Sequence, residues 1–568
     1  MPATIRAAVG RDALIPPHPA PPLPLAGGCG IALPPVGADS ISARLCGGAN
    51  VRGRIWNPPL RPAAGPAAAR ETENPAAPPP PNAEKDTPMP TSSPLQTALE
   101  ACARRAYPLH MPGHKRRLAP APGLACYAWD TTEVPGTDDL HAAEGVLAAA
   151  VARTAALWGA ARSWYLVGGS TCGILAAIRA AAPHGSTILC ARNCHKSVYH
   201  AIELGGLRAH WLTPPVDAAF GVYGSVPPAS VAAALEACPG AACVVLTSPT
   251  YEGVLSDVAA IAGICHAHGV PLIVDEAHGA HYLPLAQAHG WRGGALAAGA
   301  DLVVQSPHKT LPSLTQTALL HLGAGGRIDP DEVERQLDVF ETSSPSYPLL
   351  VSLDGCTALL AEQGGELFAA WRRRLDRFSA AVQGLGALRV LCHGADAPAA
   401  HPAVWAHDAG KLLVRSPRTG AALARTLRED YGFETEMSCG PNVLAMTSVA
   451  DGEDALDRLA AALLAIDRCL PQGTAPAQAA MLPPPGPAVY TIAAALRRPR
   501  AERPLADAIG AAAAEYVWAY PPGVPLLAPG ERITPAFAAA AAALEAAGTP
   551  LRHTAARTPG CVAVCAEA

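Results

Sequence analysis

Lysine is scarce in this chain: only Lys85, Lys115, Lys196, Lys309 and Lys411 occur, and arginine supplies the other positive charges. Arginine cannot replace an amine that must deprotonate and form an imine, so each retained lysine is more informative than usual. Paired cysteines are lacking as well. The 16 cysteines include no C-x-x-C pair, and the closest spacings, Cys190 to Cys194 and Cys561 to Cys565, lack the second pair that a zinc site needs. Reduced structural thiols in a cytoplasmic protein are therefore expected, with no metal site. No apolar run approaches the length of a membrane span, so no membrane partner is expected. A net charge of -5 argues against a polyanion-binding surface spread over the molecule, and no nucleic-acid partner is expected. A nucleotide-phosphate loop is missing too. The sole Gly-Lys step, Gly410-Lys411, is followed by Leu412 rather than Ser or Thr, which removes a nucleotide-hydrolase reading of Asp275-Glu276-Ala277-His278.

At 568 residues the chain is too long for one core, and with half its residues hydrophobic it reads as a globular protein of several domains. Residues 1–88 differ from the rest. They are dense in Pro, Ala and Gly without apolar periodicity, and are expected to form a disordered extension or to lie upstream of a true start at Met89. An organelle-targeting peptide is the alternative for their arginine-bearing early half. A large domain is expected over 89–370 and a small α/β domain over 371–470. A Pro-rich linker over 471–487 then leads to a C-terminal domain over 488–568. Within the large domain, helix-like 142–160 precedes strand-like 164–167, and strand-like 187–190 and 243–247 lead into helical stretches. The short apolar runs 271–274 and 302–305 are of the kind buried in a parallel sheet. This alternation predicts an α/β fold with a mostly parallel sheet, whose ligand lies at the carboxyl ends of the strands.

The polar turns that follow those strands hold the candidate chemistry. Gly168-Gly169-Ser170-Thr171 opens a helix, where free N–H groups and two hydroxyls can cradle a phosphate; an ordinary helix cap would read the same way. In Val274-Asp275-Glu276-Ala277-His278-Gly279, a carboxylate directly after an apolar strand can hold the protonated ring nitrogen of pyridoxal phosphate. Ser306-Pro307-His308-Lys309-Thr310 places Lys309 at the end of a buried strand beside a hydroxyl and a histidine. Lys85 falls in the extension and Lys411 begins an apparent strand. Asn193-Cys194-His195-Lys196-Ser197 offers an imidazole that can stack on a cofactor ring or cap a helix. His266 with His268, and His278 with His281, lack a third ligand at metal-binding spacing.

Taken in order, these motifs resemble the Orn/Lys/Arg decarboxylase family. The resemblance adds His110-Met111-Pro112-Gly113-His114-Lys115, the run Thr132-Glu133-Val134-Pro135-Gly136-Thr137-Asp138-Asp139-Leu140-His141, Thr342-Ser343-Ser344-Pro345-Ser346-Tyr347, and Tyr520-Pro521-Pro522-Gly523-Val524-Pro525. It covers the chain from about residue 95 onward and fits the short branch, which lacks a receiver-like N-terminal domain.

The resemblance implies a large domain of the aspartate-aminotransferase type that binds pyridoxal 5'-phosphate, with smaller α+β C-terminal domains and a homodimer as the minimal active unit. It implies decarboxylation of a basic amino acid, with a lean toward arginine over lysine or ornithine. Position by position, Lys309 would carry the cofactor as a Schiff base, Asp275 would pair with its ring nitrogen and His195 would stack on the ring. Ser170, Thr171, Ser306 and His308 would bind the phosphate. Ala277 would pack beneath the ring, His278 would lie near its phenolic oxygen, and the Thr342-Ser343-Ser344 stretch would reach the neighbouring subunit's cofactor. Ser248-Pro249-Thr250 departs from the Asn-Pro-Thr of related enzymes. Glu133, Asp138, Asp139 and Glu341 are candidates to meet a basic side chain, with solvated turn acids as the alternative. Transamination or side-chain elimination on the same cofactor, and a cofactor-binding subunit without turnover, remain the other functional readings.

Overall fold

A computed structural model describes residues 107–109, 138–396, 398–471, 483–519, 523–546 and 549–566. The 1–88 extension, Glu133, the motif 110–115 and most of the Pro-rich linker lie outside the described residues.

The central element is a seven-stranded sheet. In chain order its strands are β1 (Arg162–Leu166), β2 (Thr187–Ala191), β3 (Arg208–Leu212), β4 (Ala241–Thr247), β5 (Leu272–Asp275), β6 (Leu302–Gln305) and β7 (Ala318–Leu322). Across the sheet they run β1-β7-β6-β5-β4-β2-β3. Only β7 is antiparallel to its neighbours, β6 and β1. The mostly parallel sheet expected from the sequence is therefore present, with one reversed strand. Because β7 reverses between them, β1 points the same way as β6, so β1, β2, β4, β5 and β6 all end on one edge.

The strands form here because they are short, continuous apolar runs. β5 and β6 are buried at every position, as strands covered on both faces must be. Helices supply the cover: α1 (Val146–Trp158), α2 (Gly169–Ala181), α3 (Lys196–Gly205), α4 (Pro228–Ala237), α5 (Val258–Ala267), α6 (Pro330–Phe340) and the long α7 (Tyr347–Ala381). α2 lies so close to the sheet that a Cβ on Gly173 would come within 2.6 Å of Leu166 Cδ1. One hydrophobic core joins α2 to α5 with the central strands, and a second joins α1 and α7 to the sheet that follows.

That second sheet is antiparallel, with β8 (Arg389–Val390), β9 (Lys411–Arg415), β10 (Met437–Cys439) and β11 (Asn442–Met446) in the order β8-β9-β11-β10. Helices α8 (Gly420–Tyr431) and α9 (Ala455–Arg468) accompany it. Residues 483–566 build small antiparallel sheets around α10 (Pro535–Ala546), with their own apolar cluster of Val517, Ile533, Phe537 and Val562. No helix among the described residues is long and apolar enough to cross a membrane.

Candidate active site

Five polar turns leave the same edge of the central sheet. They follow β1 (168–171), β2 (192–197), β4 (248–250), β5 (276–279) and β6 (306–310). A parallel sheet gathers them because each strand delivers its chain to the same side before the helix turns back.

Lys309 sits in the one-turn helix Pro307–Thr310 that follows β6. Its Nζ is 3.0 Å from Nε2 of His278. Burial lowers its pKa below the usual lysine range, opposed by the carboxylates of Asp275 and Glu436. Desolvation disfavours an ammonium, so more of the amine is present with a free lone pair. Asp275 ends β5 and is 3% exposed; its Oδ1 accepts from the Ala277 N–H at 3.2 Å. Burial raises its pKa, while Lys309 pulls it down. Ala277, two residues on, is buried.

His195 is the N-cap of α3, and its Nδ1 accepts from the Ser197 N–H at 3.3 Å and meets Ser197 Oγ at 2.9 Å. Burial first, then the charge of Lys309, hold its pKa down at about 3. The neutral imidazole thus faces the field of the same amine. His278 is held far below the ordinary histidine range by burial, followed by Lys309 and Lys411.

The hydroxyls are placed less uniformly. Ser306 Oγ and Thr310 Oγ1, flanking Lys309, are buried without hydrogen-bond partners, as is Asn193 Oδ1 beside His195. A buried polar atom left unpaired costs about 1–3 kcal/mol, which a ligand with matching polar atoms would recover. Pyridoxal phosphate has such atoms, so the residues present fit that group. Ser170 is half-buried and Thr171 exposed at the start of α2. His308 is buried, and its Nδ1 lies 2.7 Å from the Thr317 carbonyl, which accepts its proton. Ser248 Oγ accepts from the Ser256 N–H at 3.1 Å.

The acids considered for a basic side chain are mostly occupied elsewhere. Asp138 accepts from the N–H groups of Glu144, Gly145 and Leu147 at 3.1, 2.7 and 3.0 Å, at the open start of α1. Those bonds, led by Glu144 and working against burial, hold its pKa near about 2. It acts as a helix cap. Asp139 accepts from the His141 N–H at 2.9 Å. Glu341 accepts from the N–H groups of Gly168 at 2.7 Å and Thr342 at 2.9 Å, so it occupies one donor of the Gly-Gly-Ser-Thr turn. It also lines a cavity of about 510 Å³ between α1, β1 and α6, whose walls include neither Lys309 nor Asp275.

Two residues, one in the small sheet and one just before its strand β10, enter the site that the sequence did not single out for it. Glu436, which accepts from the Tyr251 hydroxyl, is one of the two carboxylates acting on Lys309. Lys411 begins β9 and places its Nζ 2.6 Å from Nδ1 of His278. The low lysine count was the one signal for Lys411; nothing in the sequence pointed to Glu436. Among the described residues, no cluster of three His, Cys, Asp or Glu side chains is arranged to hold a metal.

Comparison with known proteins gives this geometry a context. The family model "Orn/Lys/Arg decarboxylase, major domain" matches residues 93–387, and "Orn/Lys/Arg decarboxylase, C-terminal domain" matches 480–560. The protein YaaO of Bacillus subtilis is 35% identical, covering 78% of this chain and 92% of that protein. The arginine decarboxylase of Bacillus subtilis is 32% identical, covering 78% and 91%. The constitutive lysine decarboxylase of Escherichia coli is 30% identical, but over only 38% of this chain and 31% of that protein. Among solved structures, lysine decarboxylase A from Pseudomonas aeruginosa superposes with a TM-score of 0.63 at 21% identity, covering 77% of this chain and 74% of that one, and so shares the fold.

Proposed function

Because this chain belongs to the Orn/Lys/Arg decarboxylase family, we propose that it removes the α-carboxylate of a basic amino acid, with arginine favoured, using pyridoxal phosphate held on Lys309. The observation that carries the reading is the convergence on one amine. Lys309 is depressed by burial, meets His278 at 3.0 Å, and interacts electrostatically with Asp275, Glu436 and His195. Relatives covered along most of their length include arginine decarboxylases of Bacillus subtilis, Halalkalibacterium halodurans and Bacillus anthracis, which supports the lean to arginine.

When bound, the cofactor supplies a conjugated ring that takes up the electron pair left behind as CO2 departs. The protein's residues divide the remaining tasks. Lys309, whose amine burial shifts toward the neutral form, would hold the cofactor. Asp275, a buried carboxylate at the end of β5, would hold the ring nitrogen in its protonated form. His195, neutral at physiological pH, would present a flat face to the ring. Ser306 and Thr310 would donate to the phosphate, with His308, Ser170 and Thr171 alongside. Glu436 would pair with the distal cation of the substrate, and a guanidinium could meet it with two parallel bonds. Ala277 would pack beneath the ring and His278 would lie near its phenolic oxygen.

We further propose a homodimer, with the exposed stretch 342–344 reaching the partner's site. The proposed domain division remains 89–370, 371–470 and 488–568. The activity is tested by supplying pyridoxal phosphate and arginine, lysine or ornithine, then measuring CO2 and the product amine. Amine and CO2 are expected, with arginine fastest; keto acid without CO2 from all three would reject the reading.

A further inference from the structure

The buried imidazole of His278 lies between two lysines, with Lys411 Nζ 2.6 Å from Nδ1 and Lys309 Nζ 3.0 Å from Nε2. His278 is 6% exposed and Lys411 1% exposed. A neutral imidazole carries one proton, so it donates from one nitrogen and accepts at the other. An imidazolium would place a third cation between two amines in a desolvated site, and burial and both lysines oppose that state. One lysine must therefore donate and the other accept, and the one that accepts must offer a lone pair and so be unprotonated.

The surroundings decide which. The contact to Lys411 is the shorter, as charge-assisted bonds are. Lys411 also exerts its charge on the carboxyls of Asp408 and Glu252, and its Nζ lies 5.8 Å from the centre of the Tyr251 ring. His407 also feels its charge. On the other side, Lys309 is depressed by burial against Asp275 and Glu436, and His195 feels its field.

We propose that Lys411 is a positioning residue: its ammonium donates to Nδ1 of His278 and fixes the imidazole with Nε2–H directed at the lone pair of Lys309. The consequence for chemistry is direct. A lysine that accepts a hydrogen bond is unprotonated, which is the form that attacks a carbonyl. Without the Lys411 donor, the ring is free to move its proton to Nδ1, whereupon Nε2 becomes an acceptor that favours the ammonium of Lys309. The small sheet thereby sets the protonation state of a lysine delivered by the large one. The inference rests on reading Lys309 as the cofactor-bearing lysine, and the first test below does not depend on that reading.

The tautomer is read directly by ¹⁵N NMR of histidine-labelled, cofactor-free protein at neutral pH, with His278→Gln identifying the signals. Wild type should show Nδ1 unprotonated and Nε2 protonated. Lys411→Gln keeps an N–H donor and should keep the tautomer, whereas Lys411→Met should lose it; matched melting temperatures would show both to be folded. A wild-type Nδ1–H tautomer, or one unchanged in Lys411→Met, would overturn the proposal.

The second readout is the rate at which pyridoxal phosphate and borohydride label Lys309 as pH is varied. Lys411→Met should raise the apparent pKa of Lys309 and slow labelling at neutral pH by about tenfold, one unit of pKa. In a His278→Gln background the same change should shift the rate less than about twofold, since the route through His278 is gone. An equal effect in both backgrounds would mean that Lys411 acts by charge or packing alone and would reject the positioning role. Label on another lysine would reject the reading of Lys309 while leaving the tautomer result standing.

Discussion

Glu531→Gln is expected to loosen the C-terminal region from the edge of the central sheet that carries His195. Glu531 pairs with Arg192 at 3.1 Å, with side chains 4% and 2% exposed, so the ion pair is sealed from water. Arg192 immediately follows β2, three residues before His195, and also donates to the Leu526 carbonyl at 3.2 Å and to the Tyr199 hydroxyl. At that separation and an effective dielectric of about 20, the attraction is about 5 kcal/mol. Removing one charge strands the other in a dry site, which typically costs about 3–5 kcal/mol. The Leu526 carbonyl and Tyr199 hydroxyl remain as partners for Arg192, so about 3 kcal/mol is the expected loss.

That loss corresponds to roughly a hundredfold rise in the open population of the C-terminal region. Limited proteolysis under conditions where reclosing outruns cleavage reads that population. Arg192→Met should also destabilise, but less at acidic pH. Burial raises the pKa of Glu531, so the stranded carboxyl takes up a proton. The double variant should cost less than the two single changes summed, because neither charge is then left alone. A cleavage rate for Glu531→Gln within about threefold of wild type would refute the reasoning.

Asp275→Ala should leave cofactor binding measurable while turnover falls by at least about a hundredfold, because the ring nitrogen loses its charge partner; near-normal turnover would remove Asp275 from the site. Borohydride reduction of the loaded enzyme should fix the cofactor on Lys309, and peptide mapping that found it on Lys196 would reject the assignment. Glu436→Gln should raise KM for arginine by about tenfold or more, and an unchanged KM would exclude contact with the substrate's distal cation. His195, His321 and His393 are each held down at about 3, mainly by burial, whereas an unfolded histidine titrates near 6.5. The unfolded chain therefore binds more protons between those values, and stability should fall as pH drops through that window. His321→Gln should remove about one proton from the uptake on unfolding near pH 5, measured from the pH dependence of denaturant unfolding.

Local chemistry is what the sequence determined by itself. The apolar runs at 271–274 and 302–305 predicted buried strands, and the structure places them at Leu272–Asp275 and Leu302–Gln305. The polar turns after them carry Asp275 and Lys309, and parallel topology alone brings such turns to one edge. These features are legible because a strand, its turn and the following helix are specified within about twenty neighbouring residues. Asp138 and Glu341 show where that legibility stops. An acidic turn reads as available charge, yet the first carboxylate caps α1 and the second binds the Gly168 N–H across 173 positions of chain.

Lys411 reads from the sequence as the start of a strand, and it does start β9. Its contact with His278 spans 133 positions, and Glu436 acts on Lys309 from the residue before β10. No periodicity or spacing specifies such a pair. It exists because the fold places the start of β9 where Lys411 Nζ meets the imidazole of His278. Burial then makes the choice of proton donor consequential, since a group removed from water can no longer exchange its partner for solvent.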